Sequence, residues 1–362
     1  MDLDLHGIVG IRLIRGSAED VATVTKQVGA TPAYLGRKPE ILLEFVDGVV
    51  GTRDVRSIGV DDAGFGGEEF YVFRGRGKAR TATAIRFEQA GLRSHILCES
   101  GAGAVPLLVP LMNLAALAKG FLPMHASAFS YNGSGLLATG WTKGGKTETL
   151  LGFMANGATY IGDEWVYLSG DGTQMFGLPQ PITLWDWHLD DLPQYRTGLG
   201  WRRRARLRTN TVLKAAERVA PGRFVASRMT GRVLGLTERQ LHVTIRPEAL
   251  FGASACERAG RLDKIVFLVS HESPEVVVEA ADPDEIANRM LFSLRYERLE
   301  LLSNYFKFRF AFPDASNELI DGLDEVERES LPRALAGKDA YVVYHPFPAP
   351  IPALFDAIAP LV

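Results

Sequence analysis

At 362 residues, 46% of them apolar and 23% charged, the chain has the make-up of a globular protein of about two compact domains, not of a disordered or fibrous one. Its net charge of −3 supplies no global field for nucleic acid or anionic lipid. The two cysteines, Cys98 and Cys256, lie far apart without metal-type spacing, which excludes a disulfide framework and a zinc site, and both are expected to be buried thiols.

The first residues, MDLDLHGIVGIRL, are acidic and lack the basic and apolar regions of a signal peptide, so a cytoplasmic protein is expected. Residues 1–105 alternate short β-rich runs with turns: GIVGIRLI, EILLEFVDGVV, EFYVFRG and TATAIRFEQ. They predict a small, mostly β N-terminal domain. The glycine-rich DDAGFGGEEF (61–70) has no Lys-Ser/Thr after its glycines and reads as a solvated turn. The apolar run AVPLLVPLMNLAALAKGFL (104–122) is broken by Pro106, Pro110, Asn113 and Lys119. A buried helix from about Pro110 to Gly120 is expected there, not a membrane span.

Residues 106–362 predict a second, α/β domain. HASAFSY and LLATG read as strands joined through Asn132-Gly133, a hairpin signal because both residues tolerate positive φ. A glycine-rich loop follows, then a helix over TETLLGFMAN stopped by Asn156-Gly157. ATYIG is the next strand, ending at the acidic corner Asp163-Glu164. Beyond lie a Pro- and Trp-rich stretch (178–196), a basic cluster (201–210), the strand DKIVFLVS, helices over 282–308 begun by Asp282 and Pro283, and a final strand AYVVYHP.

Gly140, Gly145, Lys146 and Thr147 match G-x-x-x-x-G-K-[ST]. Phosphate oxygens need a nest of backbone N–H groups that glycines permit at close range, and the helix that follows adds its positive end. Lys146 would bridge the β- and γ-phosphates of ATP, and the Thr147 hydroxyl would ligate Mg²⁺. An acid at the end of the next strand completes such a site, one carboxylate serving the metal and a second an acceptor hydroxyl.

The segment 125–168 resembles the core of the HPr kinase/phosphorylase family, whose P-loop is related to that of phosphoenolpyruvate carboxykinases. His125 precedes Gly140 by fifteen residues, KTET resembles the family's K-S-E-T, and the acidic pair follows Lys146 by seventeen. The resemblance implies an α/β fold with a P-loop HPr-kinase/PEP-carboxykinase-like core, and a Walker A site holding ATP on Gly140, Lys143, Gly144, Gly145, Lys146, Thr147 and Glu148. It implies Mg²⁺ on Thr147 and Glu164, Asp163 as the base, and His125 beside the phosphoryl group with Lys146. Two departures stand out. Asp163-Glu164 replaces a pair of aspartates, the longer Glu arm leaving open which acid does which task, and Lys143 takes a loop position that is commonly glycine, where it is read as pointing to solvent. The family's L-x-E-I-R-G-x-G segment is absent, which points away from the HPr protein as substrate.

The expected activity is a kinase that transfers the γ-phosphoryl group of ATP to a hydroxyl of a peptide, protein or small molecule. The alternative is a catalytically silent ATP-binding regulatory or scaffold protein. A carboxykinase acting on a carboxylic acid finds no supporting motif. Trp185, Trp187, His188 and Arg196 read as one loop that either lines an acceptor pocket or packs between domains. Arg202, Arg203, Arg204, Arg206 and Arg208 either clamp phosphates or form a solvated face. No nucleic acid or membrane partner is expected; a homo-oligomer is compatible with the family.

Overall fold

The structure, a computed structural model, describes residues 1–49, 55–59, 62–74, 80–197 and 242–362. The arginine cluster at 202–208 lies outside them. The chain is mixed α/β. Its first sheet takes β1 (Asp2–Leu5), β2 (Val9–Ile14), β3 (Ile41–Val46), β4 (Arg56–Ile58), β5 (Ala63–Gly66), β6 (Glu69–Arg74), β7 (Thr81–Ile85) and β8 (Ser94–Glu99) in the order 1-2-3-8-7-6-5-4. β2, β3 and β8 run parallel, and helix α1 (Ala18–Val28) makes the crossover from β2 to β3. That helix begins at a capping box, in which the Ser17 hydroxyl accepts from the Asp20 N–H while the Asp20 carboxylate accepts from the Ser17 N–H.

Two expectations change. Ala63–Gly66, expected as a solvated turn, is a strand paired to both β4 and β6, and the turn is confined to Gly67 and Glu68. The period-two pattern there is hidden because glycine supplies half the strand. Cys98 is buried as expected, but Cys256 is only partly so.

Helix α2 (Leu108–Ala118) is the expected buried helix and leads into the second sheet. That sheet contains β9 (Leu122–Tyr131), β10 (Ser134–Gly140), β11 (Thr159–Gly162), β12 (Trp165–Leu168) and β13 (Gln174–Gly177). After the separate hairpin of β14 (Ile182–Trp185) and β15 (His242–Ile245), it gains β16 (Ala259–Arg261), β17 (Lys264–His271), β18 (Val277–Ala280) and β19 (Asp339–Pro346). The order is 16-13-12-9-10-17-19-18, with β11 and β12 sharing one edge of β9. Only β10, β17 and β19 run parallel. The expected hairpin forms between β9 and β10, with Asn132 at φ 49° and Gly133 at φ 85°.

Helices α3 (Lys146–Ala155), α5 (Pro283–Glu297), α7 (Leu323–Leu335) and α8 (Ile351–Ile358) pack on this sheet, α6 (Leu299–Ala311) packs on β5 and β6 of the first, and α4 (Asp186–Asp191) follows β14. Asp282 caps α5 through the Asp284 N–H, with Pro283 in its first turn. One apolar core runs without a break from Leu3 and Phe45 of the first sheet through α2 to Met124 and Val342 of the second and Leu294 of α5. A second core, around Phe129, Phe153 and Leu354, lies under α3 and α8. No helix among the described residues is long and apolar enough to cross a membrane.

Candidate functional site

β10 delivers Gly140 to the start of the glycine-rich loop with β17 close alongside. A Cβ on Gly140 would stand 2.6 Å from the Leu268 carbonyl oxygen, so only glycine fits. The loop turns back at Lys143 (φ 60°) and Gly145 (φ 96°), and α3 starts at Lys146. Lys143 is exposed, in line with the reading that points it to solvent. Lys146 is buried, and its Nζ donates to the Trp141 carbonyl at 2.8 Å. Burial lowers the lysine's pKa, with Glu164 and Asp163 opposing that shift. The loop therefore offers a cradle of backbone groups at a helix N-terminus, with a desolvated ammonium folded across it.

The acidic corner falls where β9's edge passes from β11 to β12. Glu164 has φ 69°, and its carbonyl accepts from the Ala126 N–H. This twist sends the two acids in different directions. Asp163 points inward, 2% exposed: Ser127 Oγ donates to its Oδ1 at 2.5 Å, and Thr147 Oγ1 lies 3.2 and 3.1 Å from its two oxygens. Glu164 points outward, its side chain 48% exposed, with Oε2 at 3.2 Å from His125 Nε2. Burial, and then the nearby Glu164 charge, push the Asp163 pKa up to about 7. The hydrogen bond from His125 lowers that of Glu164. For His125 burial favours the neutral ring, yet the contacts with Glu164 and Glu297 outweigh it, and its pKa is raised.

The expected site residues thus converge. Gly140, Lys143, Gly144, Gly145, Lys146 and Thr147 form the loop and helix start, Asp163 faces Thr147, and Glu164 faces His125. Glu148 points elsewhere. Its Oε1 contacts His188 Nε2 at 3.0 Å, while His188 Nδ1 accepts from the Trp185 N–H. This fixes the histidine's tautomer, Nε2 being the donor. Burial alone would raise the Glu148 pKa, but His188 lowers it. The group forms a buried brace between α3 and α4, not a ligand of the loop.

The stretch 178–196, expected as a loop, is instead strand β14, α4 and a helical turn. Of its four candidates only His188 reaches α3. Trp185 packs against His242, Trp187 against the second core, and Arg196 pairs with Asp190. Alternation in ITLW, followed by a histidine three residues after Trp185 that caps α4, was the signal available.

Two contributors escaped the sequence reading. His345, near the end of β19, is buried beneath the loop, its Nε2 at 2.9 Å from the Gly144 carbonyl oxygen. Helix α5 lies along the other side. Met290 Sδ accepts from Thr139 Oγ1 at 3.2 Å, Ser293 Oγ donates to the Gly140 carbonyl at 3.2 Å, and Glu297 Oε1 stands 2.8 Å from His125 Nδ1. The rings of Trp141 and Tyr296 close the loop's outer rim at 5.0 Å.

A cavity of about 40 Å³ opens beyond Glu297, lined by Pro123, Trp165, Leu294, Arg298 and Glu327 among others. It has room for a few water molecules. A wider depression of about 470 Å³, between Met154, Tyr195 and Phe251, lies at the far end of α3 from the loop.

The donor set suits a nucleotide with its metal. A hydroxyl and a carboxylate side by side are hard oxygen ligands, and Mg²⁺ is commonly bound through one or two carboxylates together with substrate phosphates. A scan of protein-family models matches none to this chain, and no curated protein matches it.

Proposed function

We propose that the chain is a Mg²⁺- and ATP-dependent phosphotransferase with an HPr-kinase/PEP-carboxykinase-like P-loop core, acting on a hydroxyl-bearing acceptor. The observation that carries this reading is the division of the acidic corner: Asp163 against the Thr147 hydroxyl of the loop, Glu164 outward beside His125. In P-loop enzymes a loop Ser/Thr and an acid on a neighbouring strand share the Mg²⁺. Thr147 and Asp163 match that pair.

The two acids accordingly exchange the parts that the resemblance gives them. Asp163 is buried and faces the hydroxyls of Ser127 and Thr147, which suits a carboxylate that shares the metal with Thr147 better than a base for an incoming hydroxyl. Burial, and then the Glu164 charge, raise the Asp163 pKa to about 7; a cation seated beside it favours the charged form. Glu164 is open to solvent on the side where an acceptor arrives. It orients the hydroxyl and takes its proton as the new O–P bond forms and the bond to the ADP oxygen breaks. Mg²⁺, when bound, neutralises phosphate charge. Lys146 and His125 would offset the charge that develops on the transferring group. Gly140 to Gly145 supply backbone donors.

The test is ADP release from MgATP with a cell extract as acceptor source, run beside binding of a fluorescent ATP analogue. Lys146→Ala is expected to lose nucleotide binding. Asp163→Asn should weaken Mg²⁺-dependent binding by about 10-fold or more. Glu164→Gln should bind MgATP as wild type does and lose transfer by about 100-fold or more. Transfer retained in Glu164→Gln but lost in Asp163→Asn with binding intact would return the base to Asp163. Tight ATP binding with no ADP release from the wild type under any condition would make the chain a nucleotide-binding switch.

A further inference from the structure

Helix α5 carries no motif, yet three of its residues on one stripe touch three parts of the site. Met290, Ser293 and Glu297 sit at i, i+3 and i+7, a spacing that keeps them on one helical face. They meet Thr139 at the end of β10, Gly140 at the start of the loop, and His125 on β9. The last contact is unlike the other two, because it places a carboxylate against a ring nitrogen of a residue next to the reacting groups.

His125 stands between two acids on opposite ring nitrogens: Glu164 Oε2 at Nε2, 3.2 Å away, and Glu297 Oε1 at Nδ1, 2.8 Å away. Glu164 is free to follow an incoming acceptor. Glu297 is fixed by the fold. It is the last residue of α5, and its neighbour Arg298 is 9% exposed and tied to Glu327 and Asp324 of α7. The ring also leans on Trp165, its cross-strand partner, with centroids 5.6 Å apart. Ring packing limits where the imidazole sits; an acceptor at Nδ1 decides which way round it faces. The contact is close but out of line, since neither Nδ1 nor Oε1 has a well-aligned hydrogen-bond partner. Such bonds commonly tighten only when a substrate is in place.

We infer that Glu297 is a positioning residue of the transfer site, holding His125 by Nδ1 so that Nε2 faces Glu164 and the phosphoryl group. The inference rests on the phosphotransferase reading for its effect on rate, but not for its effect on the ring. Glu297→Leu removes the acceptor at similar bulk, and Glu297→Gln keeps an acceptor oxygen without the charge. In the acceptor-stimulated assay, Glu297→Leu is expected to lower kcat about 10-fold or more, with KM for ATP and analogue binding within about twofold of wild type. Glu297→Gln should recover to within about threefold. Isotope-edited NMR of the histidine ring nitrogens, with the His125 signals identified by their absence in His125→Gln, should show them displaced in Glu297→Leu and near their wild-type positions in Glu297→Gln.

Unchanged kcat together with unmoved His125 signals in Glu297→Leu would overturn the inference. Equal impairment of both variants with a lowered Tm would also overturn it, by making Glu297 a residue of the fold alone. If the wild type itself binds ATP and turns over nothing, the phosphotransferase reading falls, and the ring-nitrogen spectrum still decides whether Glu297 sets His125.

Discussion

Gly145 meets two demands at once. Its φ of 96° lies where L side chains are strained, and a Cβ would meet His345 Nε2 at 2.7 Å. Relief through His345 is blocked, because that ring is buried and engaged with the Gly144 carbonyl oxygen. Gly145→Ala is therefore expected to destabilise the fold by about 1–3 kcal/mol and to weaken nucleotide binding by distorting the cradle. Thermal unfolding and analogue binding, measured on the same samples, check both parts; an alanine variant with wild-type Tm and affinity would refute the account of the loop's close packing. Lys143 offers a control at the same scale. It has positive φ but is exposed, so Lys143→Gly should leave binding within about twofold and stability within a few tenths of a kcal/mol, by relieving left-handed strain at the expense of backbone entropy.

Among the elements, α1 shows how a short signal fixes a helix. AEDVATVTKQV has β-branched residues at five of its eleven positions, which hides it from a reading based on apolar period. The capping box Ser17/Asp20 decides the matter locally. Asp20 also accepts from the Gly101 N–H at 2.8 Å, binding the helix start to the turn after β8. Burial acts to raise its pKa, but the bonds from Gly101 and Ser17 prevail and lower it. A carboxylate with a depressed folded-state pKa contributes stability that is present above its unfolded value near 4 and is lost as pH falls through the folded one. Asp20→Ala is thus expected to cost about 1–2 kcal/mol at pH 7, and the difference from wild type should shrink below about pH 4; urea melts at the two pH values measure it. The same logic explains what the sequence displays of the site. Hairpin, loop, α3 and acidic corner follow one another within residues 125–168, so turn chemistry and strand alternation mark them directly. The strand DKIVFLVS, the helices after Asp282 and the last strand were legible for the same local reasons. Contacts made by α5 and β19 come from far along the chain, and no spacing announces them. In the stretch 178–196 the prolines and tryptophans suggested a loop, whereas the pairing of β14 with β15 set its structure.

At the scale of the molecule, the division into residues 1–105 and 106–362 marks where the two sheets are made, but side chains cross it throughout. His6 Nε2 meets the Gly177 carbonyl oxygen at 2.8 Å, Lys119 Nζ donates to the Ile8 carbonyl and the Glu40 carboxylate, and Asn317 Nδ2 donates to the carbonyls of Phe87 and Ala90. Asn317 is 5% exposed, and replacing it with leucine strands those carbonyls. Asn317→Leu should cost about 2–4 kcal/mol and lower a single thermal transition, because the apolar core is continuous across both sheets; two separate transitions in calorimetry would show instead that the halves unfold on their own. The histidine beneath the glycine-rich loop has a temporal consequence as well. Gly144 and His345 are 201 positions apart, so a ribosome has made the loop long before it makes the residue that supports it. While the chain is being synthesised, the glycine-rich loop lacks that floor. On the proposed function, competence for ATP should therefore appear late, as β19 joins the sheet.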